Sequence, residues 1–371
     1  MPSFTLPTPP PPPAARSGPA RPPSLRVGFI PLTDAAPLIA ARELGIFARH
    51  AVRVELTREV GWATIREKIV YGELDAAHAL APMLWGTQLG IGGMPCEVLT
   101  ALVLNLHGNA LTLAHALRPA DVNDAASLQA LIRARHREQQ LTFGVVSPLS
   151  SHHLLLRQWI ASAGLHPDRD VRVVTVPPAQ MFRNLAAGTV DGYCVGEPWN
   201  SLAVQKGAGW CVAWSAALRP GHVEKVLMVT RRLAEKRPDE HAALVAALVE
   251  ACAWCDEPRN RPTLAEILSG APYLNLPPRV ILPALLGRFD CGLGRVEHVP
   301  DFHIFHRGNA NVPAAAKAAA LQRDLIAAGL LSRPDSGLPH RLFREDLFHA
   351  AIRRLPVHEP ADSRPVRELV R

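Results

Sequence analysis

Two stretches of the chain share one alternation of apolar runs and polar turns. Val27-Gly-Phe-Ile30 is a short apolar run closed by Pro31-Leu-Thr-Asp34, and Phe143-Gly-Val-Val146 is closed by Ser147-Pro-Leu-Ser150. In each copy a helical pattern follows and stops near a glycine, Gly45 or Gly164, before Val52-Arg-Val54 or Val171-Arg-Val173 begins a second strand. Gly72-Glu-Leu-Asp75 with Pro82 is echoed by Gly188-Thr-Val-Asp191 with Pro198, and the offset stays between 116 and 119 residues. The pattern predicts two β-α-β-α-β units and an α/β fold of two lobes. Each first strand is followed by turn residues of types that can cap the next helix, and unpaired N–H groups at such helix starts favour an anion in the cleft between the lobes.

The repeat also sets the expected domain limits. The first lobe is discontinuous, residues 25–112 and 214–355. The second is residues 113–213, and the terminal segments 1–24 and 356–371 are read as extended tails. Glu224-Lys-Val-Leu-Met-Val-Thr230 is expected to return to the first lobe as a strand, with the remainder helical, including a helix opened by Arg237-Pro-Asp-Glu240. Two crossings between lobes suit hinge closure over a ligand.

Composition narrows the partner. The 371 residues carry a net charge of +7, but the 40 Lys and Arg are scattered and meet only 3 Tyr and 10 Phe. Direct nucleic-acid binding needs basic side chains clustered with aromatics, so small anions are the expected ligands and nucleic acid is not. No apolar run is long enough to insert in a membrane. Met1 to Ser24 contains Pro9 to Pro13 unbroken and no apolar segment of the kind an export signal needs, which makes a cytoplasmic location the expectation. Cys252 and Cys255 stand at CxxC spacing inside an apolar helical pattern, Ala243 to Cys255, and read as core rather than metal ligands.

Several segments resemble a known family. Ile30-Pro-Leu-Thr-Asp-Ala-Ala-Pro-Leu38, Gly61-Trp-Ala-Thr-Ile-Arg66, Asp75-Ala-Ala-His-Ala-Leu-Ala-Pro-Met83, Val176-Pro-Pro-Ala-Gln-Met181 and Asp191-Gly-Tyr-Cys-Val-Gly-Glu-Pro-Trp-Asn200 are similar to the nitrate/bicarbonate-binding proteins of ABC importers. The similarity runs from about Arg26 to about Phe305. It implies a two-lobed fold of the type II periplasmic-binding-protein kind, with the anion held between the lobes by Trp62, Asn109, His152, Gly196 and Lys225. Asn109 stands where the family has Gln, one methylene longer. Physical chemistry agrees with such a set: a buried monovalent anion needs ring and amide N–H donors and one positive charge, which Lys225 would supply. Adjacent His153 competes with His152, and His78 is read as a structural histidine near the cleft.

Without an export signal, the resemblance is nearest to the cytoplasmic NasS-like sensors. In these, nitrate or nitrite releases a sequestered ANTAR-type RNA-binding antiterminator. A periplasmic receptor for an importer is the alternative. No Gly-rich phosphate loop, nucleophile motif or acid/base pair is found, so a binding protein without a cofactor or metal is expected rather than an enzyme.

Overall fold

The computed structural model describes residues 24–134 and 140–355. The expected tails lie outside the described residues, apart from Ser24. The strands are β1 (Leu25–Phe29), β2 (Val54–Arg58), β3 (Ala76–Leu80), β4 (Val98–His107), β5 (Asn109–Ala114), β6 (Thr142–Val145), β7 (Arg172–Thr175), β8 (Gly192–Gly196), β9 (Gly209–Trp214), β10 (Val223–Thr230), β11 (Arg288–Gly292), β12 (Arg295–His298) and β13 (His303–Ile304). One sheet has the order β13-β4-β10-β3-β1-β2, and the other β7-β6-β8-β5-β9.

The repeat is visible in the pairing. β1 is parallel to β2 and β3, just as β6 is parallel to β7 and β8, and an antiparallel strand lies beside each set: β10 on β3, β5 on β8. Asp75 accepts a hydrogen bond from the Arg26 N–H at 2.9 Å, and its counterpart Asp191 accepts one from the Thr142 N–H at 2.8 Å. Gly28 and Gly144 occupy matching points where a helix crosses the strand closely. A methyl group on Gly28 would lie 2.9 Å from Ile65 Cδ1 of the helix Trp62–Val70, and one on Gly144 2.9 Å from Met181 Sδ of the helix Pro178–Ala186.

The chain changes sheets at Gly108. Asn109–Ala114 pairs with β8 and β9, so the second sheet begins four residues before the limit expected at 113, and that limit falls inside a strand. Val98–Ala114 is buried along almost its whole length, and Asn105, His107, Gly108 and Asn109 interrupt its apolar pattern at the transfer. Return is through residues 215–222 to β10, as expected. The C-terminal portion is not wholly helical: β11 and β12 form a hairpin in which Phe289 and Cys291 are buried against Ala110 and Cys211 of the second lobe. Gly292, Leu293 and Gly294 all have positive φ in its turn.

The helix Pro238–Asp256 is buried along most of its length and packs on the helix Ala36–Glu43. Cys252 and Cys255 are fully buried in it and form no disulfide. Each fully buried aliphatic side chain on such a helix contributes about 1.5–3 kcal/mol. Apolar packing also joins the lobes: Ile30, Leu32 and Trp62 share a continuous core with Val146, Leu149 and Trp199. The Thr33 N–H donates to the Glu197 carbonyl across the cleft at 2.8 Å, so the lobes are closed on one another.

Candidate functional site

The centre of the junction is a buried ionic cluster. Asp34 lies in the 3-10 turn Thr33–Ala35 that follows β1, at the start of the helix Ala36–Glu43. Glu224 and Lys225 are neighbours on β10. Successive strand residues normally face opposite sides of a sheet. The β10–β4 pairing, however, shifts register between Val223 and Lys225 and again after it, and both side chains reach the same interior. Lys225 Nζ donates to Asp34 Oδ2 and to Glu224 Oε1, each at 2.6 Å. All three side chains are buried to within 1%.

Every residue implied by the resemblance is found around this cluster. Trp62 opens the helix Trp62–Val70, and its ring sits 5.4 Å from Lys225 Nζ with the indole N–H buried and unpartnered. His152 lies in the first turn of the helix Ser151–Ser162, which is capped by the Ser150 hydroxyl accepting from the His153 N–H. Its Nε2 is 3.0 Å from Glu224 Oε1, and its Nδ1 is buried without a partner. Asn109, the first residue of β5, donates from Nδ2 to Glu224 Oε2 at 2.5 Å. Gly196 pairs with Asn109 in register, and a methyl group there would stand 3.4 Å from both Asn109 Oδ1 and Asp34 Oδ2. The glycine therefore leaves space between the two walls.

The repeat relates the two ends of this arrangement. Lys225 is opposite Leu80 on β3, while Asn109 is opposite Gly196 on β8, the residue that corresponds to Leu80 in the second copy. One lobe places an ammonium where the other places an amide.

Other members of the cluster escaped the sequence reading. Ser151 Oγ donates to Glu224 Oε2, and His222 Nε2 lies 3.1 Å from the same oxygen. His78, read as structural, faces Asp34 with Nε2 2.9 Å from Oδ1, though off the line of a hydrogen bond, and it packs on the Trp62 ring. His153 turns away and contacts the Pro148 carbonyl. Asp34 and Glu224 stood inside or beside quoted motifs. Strand alternation directed Glu224 to the face opposite Lys225, and only the bulge reverses that. A lone Lys225 offered to an anion is thus not what the fold presents: its charge is shared by two carboxylates.

Electrostatics follow from this pairing. Burial works to raise the Asp34 and Glu224 carboxyls, but Lys225 and the histidines outweigh it and hold both below their ordinary range. Burial pulls Lys225 down, and the two carboxylates overcome it and raise the ammonium. His78 and His152 are lowered by burial against the pull of Asp34 and Glu224 respectively. Glu197, in the second lobe, has no cation nearby, and burial pushes it up to about 7. A cavity of about 650 Å³ between the helices Ser151–Ser162 and Ala315–Ala327 reaches the cluster at Ser151 and His222. Among the described residues no His, Cys, Asp and Glu group is placed to hold a metal, and no helix is long and apolar enough to cross a membrane.

The sequence profile of the NMT1-like family matches residues 18–269. The nitrate import ATP-binding protein NrtC of Synechocystis is 38% identical over 337 residues, which cover 90% of this chain and 50% of that protein. The nitrate/nitrite binding protein NrtA of Nostoc is 32% identical over 91% of this chain and 79% of its own. The crystal structure of the periplasmic nitrate-binding protein NrtA from Synechocystis has a TM-score of 0.86 at 28% identity, covering 90% of this chain and 89% of that one. This chain spans about half the length of the ATP-binding relatives it matches, the bicarbonate transport protein CmpC of Synechococcus elongatus among them.

Proposed function

Because the chain belongs to the NMT1-like family, among substrate-binding proteins of the nitrate/bicarbonate ABC type, we propose that it binds nitrate or nitrite between its lobes. It is a binding protein rather than an enzyme. The observation that carries the reading is convergence: Trp62 and Lys225 from one lobe and Asn109, His152 and Gly196 from the other surround one buried point. With four heavy atoms and a ceiling of about −1.5 kcal/mol each, nitrate reaches about −6 kcal/mol, a dissociation constant in the tens of micromolar. Calorimetric titration with nitrate, nitrite and bicarbonate tests this, and no heat with either nitrogen oxyanion at any pH between 6 and 8.5 would sink it.

The finer part of the reading is a cytoplasmic sensor. Nitrate or nitrite held by both lobes favours closure, and the closed form releases an ANTAR-type antiterminator that the open form sequesters. This rests on the resemblance in sequence and on the meeting of residues from both lobes at one buried point. Linkage requires the partner to weaken nitrate binding by the factor with which nitrate weakens partner binding. A pull-down of an ANTAR-type protein should succeed without nitrate and fail with it, and equal nitrate affinity for free and complexed protein would exclude the sensor. The similarity to the periplasmic NrtA structure favours the second reading, a receptor that delivers nitrate to an importer.

A further inference from the structure

Glu224 occupies the place of a ligand. Its carboxylate is a planar, delocalised monoanion, and it collects Lys225 Nζ and His152 Nε2 on one oxygen and Asn109 Nδ2, Ser151 Oγ and His222 Nε2 on the other. Three of these, Lys225, His152 and Asn109, are the side chains the family resemblance gives to nitrate. An acceptor-only anion entering the cluster competes with Glu224 for the same donors.

The charge count is unfavourable to that anion. Asp34 and Glu224 contribute two negative charges and Lys225 one positive, so with neutral imidazoles the cluster carries −1 before any ligand arrives. His152 makes the difficulty specific. Its Nε2 donates to Glu224, so in the neutral ring the buried, unpartnered Nδ1 is a lone pair, aimed at no donor. Nitrate has no hydrogen to offer it. The ring donates to nitrate from Nδ1 only as imidazolium, or the Glu224 carboxyl takes the proton and releases its donors.

Resting on the proposal that this site holds nitrate or nitrite, we propose that the anion is bound together with one proton, taken up by the coupled Glu224–His152 pair, and that Glu224 acts as a resident competitor that sets the affinity. The remaining ionisable groups around the pair are Asp34 and His78 from the first lobe, Lys225 on β10 and His222 just before it, His107 on β4 and Cys194 on β8. Lys225 brings no free positive charge, because two carboxylates saturate it, and burial holds the His107 and His78 rings below their ordinary range. The proton belongs to the pair, since two groups 3.0 Å apart titrate together.

The test is calorimetry of the full chain with sodium nitrate and sodium nitrite between pH 6 and 8.5, in paired buffers of different ionisation enthalpy. The inference predicts uptake of about one proton per anion and a dissociation constant that rises by up to tenfold per pH unit above the pair's titration. A dissociation constant flat with pH and a heat independent of buffer would overturn it while leaving nitrate binding intact. No binding at any pH would remove the nitrate reading and this inference with it. Glu224→Gln deletes the competing charge and keeps the shape. It should bind nitrate at least tenfold more tightly than the native chain at pH 8 and take up no proton, whereas a purely structural Glu224 would make the variant bind more weakly. Should Glu224→Gln fail to fold by circular dichroism, the buffer comparison on the native chain decides alone.

Discussion

At positions related by the repeat, the first lobe presents Asp34, Trp62 and His78, and the second presents Ser150, Pro178 and Cys194. Lys225 likewise corresponds to Asn109 across the pseudo-symmetric strand pairs. The backbones agree down to the carboxylate clamp, Asp75 on the Arg26 N–H and Asp191 on the Thr142 N–H. What differs is charge. One wall of the junction carries the ammonium and both carboxylates of the cluster, while the other contributes hydroxyl, amide and imidazole donors and the bare backbone of Gly196. The comparison teaches that the repeat duplicates a scaffold for a cleft, and that ligand chemistry comes from making the copies unlike.

The largest break in this comparison comes from Lys225→Ala against Asn109→Ala. Loss of Lys225 leaves Asp34 and Glu224 buried without their cation, and the cost should be about 3–5 kcal/mol of stability in urea unfolding. Asn109→Ala removes one neutral donor from Glu224 and should cost about 1–3 kcal/mol. Equal losses would show that the two walls are not electrostatically different.

The carboxyls sharpen the same contrast with pH. Asp34 and Glu224 are depressed in the folded chain, so their contribution is present above the unfolded values near 4 and is lost as pH falls through the folded ones. Glu197 behaves oppositely. Its folded value of about 7 exceeds the ordinary 4.5, so the unfolded chain loses the proton first and stability falls as pH rises from 4.5 to 7. The slope is about 1.4 kcal/mol per pH unit. Glu197→Gln should therefore match the native chain near pH 4.5 and exceed its melting temperature increasingly up to pH 7. Parallel melting curves at every pH would refute the assignment of Glu197 as a neutral buried acid.

The smallest contrast between the lobes should be at the clamps. Asp75→Ala and Asp191→Ala each remove one carboxylate that accepts from a strand N–H, and each should lose about 1–3 kcal/mol. Asp75 also meets the half-exposed Arg26 side chain at 3.2 Å, and that exposed pair should add less than about 1 kcal/mol. A large inequality in denaturant unfolding would mean that the repeats are not equivalent scaffolds.

Much of the architecture was legible in the chain. The spacing of Gly28, Gly72 and Asp75 against Gly144, Gly188 and Asp191 announced two matching units, because glycine is required where a helix presses on a strand or where a helix ends with positive φ. The five residues implied by the resemblance do meet. The crossing at Gly108 was not legible, since the sheet that accepts a strand is chosen by partners far away in sequence. Nor was the β11–β12 hairpin, although Phe289 and Cys291 alternate with the exposed Asp290 at strand period.

Sequence alone determined that two α/β units exist, because these depend on local periodicity and on glycine positions, while the residues that meet in their cleft were implied by the family resemblance. Tertiary structure decided the charge of the site. Asp34 and Lys225 are 191 residues apart and become ion-paired neighbours only when the lobes' strands assemble. Glu224 joins them because a register shift in β10 cancels the alternation its own sequence prescribes. Coulomb interaction depends on distance in space and on burial, and neither is written in the order of residues.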